Sequence, residues 1–167
     1  ARLRAGGRVM SVTLAIPCRT DEPELGHTLS AAWASWQATG RTTEPLELLV
    51  CLNGRAPETS PAHRDLEAFV GGVGGTLVRC DADATMALPP LVGALTAVAL
   101  TTRREGKPIA WNVLRTAARG DEVVFLNELR HRKGTALALR RPVTQSDLPA
   151  ALAVQGKEGI VLGRDYR

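Results

Sequence analysis

Aromatic residues are scarce in this chain, at 4% of 167 residues, with one tyrosine and two phenylalanines. Its core must therefore be built mainly from Leu, Val and Ala. Long apolar runs are missing too. None approaches the ~18 residues of a membrane-spanning helix, so no transmembrane segment is expected. Cysteine is sparse and odd in number, and Cys18, Cys51 and Cys80 lie far apart. That spacing argues against a disulfide framework and against a zinc cluster. Each thiol sits near the end of an apolar run and reads as a small buried hydrophobe in a reducing, cytoplasmic setting. Blocks of like charge are also lacking. The net charge of +4 comes largely from arginines spread along the chain. A spread excess reads as solvated surface and not as a nucleic-acid groove, whereas a phosphate-bearing small ligand fits it. His27, His63 and His131 share no metal-ligand spacing and are read as surface or helix-face residues. The glycines from Gly71 to Gly75 read as a loop without the Lys and Ser/Thr of a P-loop. The basic opening from Ala1 to Val9 is followed by no apolar signal core, so residues 1–10 are set aside as a leader or remnant.

What is present suits one globular domain: 44% hydrophobic and 23% charged residues, over a length that leaves little room for two domains. Ser11 to Pro17 (SVTLAIP) reads as a buried strand. A helix is expected to start at Thr20-Asp21-Glu22-Pro23 and to end at Gly40, with Leu25, Leu29, Ala32, Trp33 and Trp36 at helical spacing. The tryptophans are read as helix-to-sheet packing. Leu46 to Leu52 is a second strand, Ser60 to Val70 a helix with Pro61 at its first position, and Thr76 to Cys80 a third strand. Pro89 to Thr102 is ambiguous, with part of it helical and Ala97 to Thr101 a candidate strand. Lys107 to Arg119 reads as a helix closed by Gly120, and Glu122 to Leu126 as the next strand. Beyond it come a basic cluster from Arg130 to Lys133, a candidate strand from Thr135 to Leu139, a short helix from Ser146 to Val154, and an apolar stub from Ile160 to Leu162. The basic cluster reads mainly as a solvated turn, with a phosphate or a lipid-phosphate acceptor as the alternative ligand.

Alternating strands and helices predict an α/β domain: a mostly parallel central sheet with helices on both faces. Ligands in such domains bind beyond the carboxyl ends of the strands. The polar residues at those ends are Arg19, Asp21 and Glu22; Asn53 and Gly54; and Asn127 and Glu128. Three strand ends thus offer hydrogen-bonding groups to one rim.

In order, the segments VTLAIPCRTDEPEL, LELLVCLNG and GKPIAWNVLRTAARGDEVVFL resemble the family-two glycosyltransferases of the GT-A fold, over roughly Ser11 to Glu128. The match rests on the ordered set, with Gly106-Lys107, Ala110, Asn112, Ala118, Gly120-Asp121 and Phe125-Leu126 in register. The resemblance implies a GT-A-like, Rossmann-like domain that takes a nucleoside-diphosphate sugar and passes the sugar, with inversion, to a hydroxyl acceptor. It assigns the base to the turn from Pro17 to Glu22 and to Asn53, with Gly54 beside it. It places Lys107 near the diphosphate. Residues 11–130 are then the nucleotide-sugar-binding domain, and 131–167 a partial acceptor-side region in which Glu158 and Asp165 are the candidate catalytic bases.

The family holds a divalent metal, Mg²⁺ or Mn²⁺, with an Asp-x-Asp motif, because hard cations prefer oxygen ligands and stabilise a leaving diphosphate. Here Asn127-Glu128-Leu129 stands in that place, and Leu52 stands where an acid is common. Asn127 offers one neutral oxygen, so the charge must come from Glu128. A literal Asp-x-Asp occurs at Asp81-Ala82-Asp83, ahead of the Gly-Lys helix; it is either a secondary metal candidate or a solvated turn. The weakened motif raises an alternative: a GT-A-like domain impaired in catalysis that serves as a nucleotide-binding or partner-binding module. A nucleotidyltransferase would need a Gly-rich basic loop after the first strand, which CRTDEPEL is not.

Overall fold

The structure, a computed structural model, describes residues 11–126 and the backbone of residues 160–163. Leu-, Val- and Ala-rich segments form the parallel strands β1 (Val12–Arg19), β2 (Leu46–Asn53), β3 (Thr76–Asp81), β4 (Leu95–Thr102) and β5 (Glu122–Phe125). The stub expected from Ile160 to Leu162 is the strand β6 (Ile160–Gly163), which runs antiparallel beside β5. The sheet order is β3-β4-β2-β1-β5-β6, so the most apolar strands, β2 and β1, lie at its centre. The connecting helices are α1 (Leu25–Ala38), α2 (Pro61–Gly72) and α3 (Lys107–Ala117).

Strand periodicity divides the core between the two faces. Leu48, Val50 and Leu52 of β2 point to one side, against Leu25, Leu29 and Trp36 of α1 and Leu66 and Val70 of α2. The alternate residues Leu49 and Cys51 point to the other, against Ala110, Leu114 and Ala117 of α3. Burial on both faces explains why these strands read as continuous apolar runs. The predicted α/β architecture, with helices on both faces, is the one observed. The tryptophans pack as expected: Trp36 is buried in the first core, and Trp33 lies edge-on to Phe69.

Several local expectations are corrected. The first helix begins at Leu25 and not at Thr20, because the Glu22 side chain accepts a hydrogen bond from the Glu24 N–H (3.0 Å) and holds the preceding residues in a turn. Gly71 and Gly72 belong to α2, and the turn is made by Gly74 (φ +71°) with Gly75. The ambiguous segment resolves as β4, with no helix between Pro89 and Leu95. Met86 and Leu88, from the β3–β4 crossover, pack where a helix would lie. The third helix ends at Ala117, since Ala118 is already extended. His63, read as a surface or helix-face residue, lies on the buried face of α2 at 1% exposure.

The amino-terminal end of the sheet holds buried ionic contacts that apolar patterning does not announce. Glu47, inside LELLVCL, is fully buried and accepts from the Thr13 hydroxyl (2.7 Å), the Arg119 N–H (2.9 Å) and the Arg119 guanidinium (2.6 Å). Arg41 bridges Glu44 and Glu122 beside the face of Trp36. Gly120 fits here because a Cβ would stand 2.5 Å from the Thr13 backbone nitrogen.

Candidate functional site

The opposite, carboxyl-terminal rim of the sheet carries a cleft of about 510 Å³. That lies within the range of small-molecule sites, roughly 300–1,000 Å³. Three walls form it. The end of β1 and its turn contribute Pro17, Arg19, Thr20 and Asp21; the end of β2 contributes Asn53, Gly54 and Arg55; the start of α3 contributes Glu105, Gly106 and Lys107.

Backbone bonds fix the walls to one another. The Thr20 N–H donates to the Asn53 carbonyl (3.2 Å), and the Gly54 N–H to the Thr102 carbonyl (3.1 Å). Gly54 has φ +133°, and a Cβ there would lie 2.8 Å from the Thr20 hydroxyl, so only glycine lets the two turns close this tightly. Gly106, at φ +120°, makes the turn that starts α3. Pro108 follows at the first helical turn, where its missing N–H costs nothing.

The Asn53 amide joins two of the walls. With its nitrogen toward the Cys18 carbonyl (2.8 Å) and its oxygen toward the Gly106 N–H (3.2 Å), both atoms are satisfied. The opposite orientation leaves one bond, from Nδ2 to the Gly106 carbonyl at 3.3 Å. In either orientation this 7%-exposed side chain ties β2 to the start of α3. Its polar atoms are thereby engaged within the protein.

Arg19 and Asp21 form a two-bond ion pair at 2.9 and 2.7 Å, exposed at 65% and 67%. Exposed pairs contribute little to stability. Arg55 and Lys107 are also exposed, and neither side chain makes a hydrogen bond or ion pair among the described residues.

Pro17, Arg19, Asp21, Asn53, Gly54 and Lys107, nominated from three separate segments, all line this one cleft. Glu22 does not; its carboxylate is turned back to the Glu24 N–H. Asn127, Glu128, Glu158 and Asp165 lie outside the described residues, as do His131, the basic cluster from Arg130 to Lys133, the candidate strand at 135–139 and the candidate helix at 146–154. Sequence reasoning missed Arg55 and Glu105 as lining residues, and named Thr20 and Gly106 only as parts of a turn and a motif. The signal for Arg55 was adjacency to Gly54, and Glu105 lies two residues before Lys107.

Asp81 and Asp83 stand at the end of β3 on the same rim, but their carboxylates are committed. Asp83 accepts from the Thr102 hydroxyl (2.6 Å) and the Arg103 N–H (2.9 Å), while Asp81 accepts from the Asp83 N–H (2.8 Å). The Thr102 and Arg103 bonds, with nearby arginine charge, hold the Asp83 carboxyl below its ordinary range. This Asp-x-Asp ties the turn after β3 to the carboxyl end of β4. Among the described residues no three His, Cys, Asp or Glu side chains gather as a metal site would need, and none of the described helices is long and apolar enough to cross a membrane.

No protein-family model matches the chain, and no curated protein matches it.

Proposed function

We propose that the chain binds a nucleoside-diphosphate sugar in this cleft and transfers the sugar, with inversion, to a hydroxyl acceptor. One observation carries the reading: residues nominated by the order of the family-like segments converge from β1, β2 and α3 on a single cleft at the carboxyl rim. In that transfer the acceptor oxygen attacks the anomeric carbon. The bond to the diphosphate breaks with its electrons going to the phosphate oxygen, and a carboxylate takes the acceptor proton. Glu158 and Asp165 are the candidates for that last role. In this reading Lys107, on the cleft wall, is the cation that steadies the leaving charge.

A melting experiment tests the proposal, with each common nucleoside diphosphate at millimolar concentration, with and without Mn²⁺. A raised melting temperature in either condition is expected; no shift in both counts against the reading. The second reading, a nucleotide-binding or partner-binding module without turnover, is favoured by the loss of both aspartates at Asn127-Glu128-Leu129. Release of free nucleoside diphosphate from a sugar donor separates the two. Binding without release, unchanged by metal, supports the module.

A further inference from the structure

The rim presents cations in two different states. Arg19 is held by Asp21, and Arg103 by Glu58 at 3.2 Å, so their charge is already answered. Arg55 and Lys107 line the cleft from two walls, the β2 turn and the start of α3, with no side-chain partner among the described residues. The rim carboxylates show the reverse pattern. Asp21, Glu22, Asp81 and Asp83 each accept bonds from the protein, so among the described residues Glu105 is the acid that lines the cleft without a bond. One uncommitted carboxylate among the described residues is a poor cage for a hard divalent ion, whereas two such cations on separate walls of the cleft suit an anion of two linked phosphates.

We infer that Arg55 and Lys107 form a clamp for the diphosphate of the ligand that works without a divalent metal. The inference rests on the nucleotide-sugar reading of the cleft. Each phosphate of a sugar diphosphate carries one negative charge at neutral pH, so one fixed cation per phosphate neutralises the group. The Arg55 guanidinium supplies a planar fork that matches two phosphate oxygens, and the Lys107 ammonium supplies a point charge. The start of α3 adds partial positive charge beside Lys107. Glu105 works against the clamp, and its charge limits how tightly a bare phosphate anion is held. Asn53 fixes the span of the clamp, because it bonds Gly106 on one side of the cleft and is followed directly by Gly54 and Arg55 on the other.

Titration calorimetry on the full chain tests the clamp, with inorganic pyrophosphate and a nucleoside diphosphate as probes, in EDTA and in Mg²⁺. Both probes are expected to bind in EDTA. Arg55→Gln and Lys107→Gln should each weaken binding by about tenfold or more, the loss of one charge-assisted contact. Glu105→Gln should tighten it. All three side chains are exposed, and an unchanged melting temperature confirms that each variant folds. Nucleoside diphosphate that binds only with Mg²⁺, or equally well to both cation variants, overturns the clamp and leaves the nucleotide-sugar reading standing. Pyrophosphate that fails to bind in EDTA also overturns it. No binding of nucleoside diphosphate in any condition removes both.

Discussion

Asn53 ties two walls of the cleft together through bonds made within the protein. Its two amide bonds link β1 through Cys18 to the start of α3 through Gly106. Asn53→Ala removes both bonds, to the Cys18 carbonyl and the Gly106 N–H, at a cost of about 1 kcal/mol each where water does not replace the bond. Asn53→Asp keeps an acceptor for Gly106 but sets a carboxylate against the Cys18 carbonyl and adds negative charge to the cleft. We expect both variants to melt lower than the parent, and Asn53→Asp to lose more affinity for a nucleoside diphosphate. Equal melting temperatures for Asn53→Ala and the parent would remove the bridge from the account. His63 offers a second prediction at this scale. Burial pushes its pKa down, the nearby Glu67 carboxylate pulls it up, and the Arg79 charge pushes it down again, with a net lowering. A histidine whose folded pKa lies below its unfolded value, about 6.5, binds fewer protons when native, so acid favours unfolding. Its contribution to stability is full above pH 6.5 and is lost as the pH falls below that. Denaturant melts between pH 7.5 and pH 5 should lose stability less steeply in His63→Gln than in the parent. Equal slopes would show that His63 does not set the dependence.

At the scale of elements, the sequence is most readable where one energetic term dominates. The strands β1, β2 and β5 are apolar on both faces, so their runs of Val, Leu and Ile announce them within about two residues. The helix α2 begins where Ser60 accepts from the His63 N–H, ahead of Pro61, and both signals are local. Legibility falls where long-range polar bonds decide. Nothing in LELLVCL says that Glu47 will be fully buried, because its partners, Thr13 and Arg119, are remote in sequence. Gly120 reads as a helix stop, yet its position is set by close approach to the Thr13 backbone. The crossover from Asp81 to Leu95 was hard to read because its apolar residues, Met86 and Leu88, cover the sheet without helical spacing. The candidate site divides in the same way. Polar residues at strand ends are visible from architecture, so Arg19, Asp21 and Asn53 were found, whereas Lys107 was found through the resemblance carried by Gly106-Lys107. The commitment of Asp83 to Thr102 and of Glu22 to Glu24 depends on turn geometry, and sequence spacing alone made both look available.

For the whole molecule, the three cysteines offer internal reporters of how the sheet opens. All three are free and buried, and they sit on different strands: Cys18 on β1, Cys51 on β2 and Cys80 on β3. Cys51 lies on a strand flanked by β1 and β4 and covered by α3, and it is fully buried. Burial, with a smaller push from the Asp83 charge, raises its thiol pKa to about 12. The reactive thiolate is therefore almost absent at pH 8, and reagent has no path to it in the folded protein. Cys80 is 7% exposed on β3, which pairs only with β4 among the described strands, so a local opening at that end of the sheet reaches it first. Regions with fewer packed neighbours open at lower free energy than the centre of a sheet. A disulfide-exchange reagent added to native protein at pH 8 should label Cys80 well before Cys51. Labelling of Cys51 should show the denaturant dependence of global unfolding, since its exposure requires separation of the central strands. Mass spectrometry of digests taken over time reads the order directly. Cys51 labelling that precedes Cys80, or that ignores denaturant, would mean the centre of the sheet opens more readily than its buried strands imply.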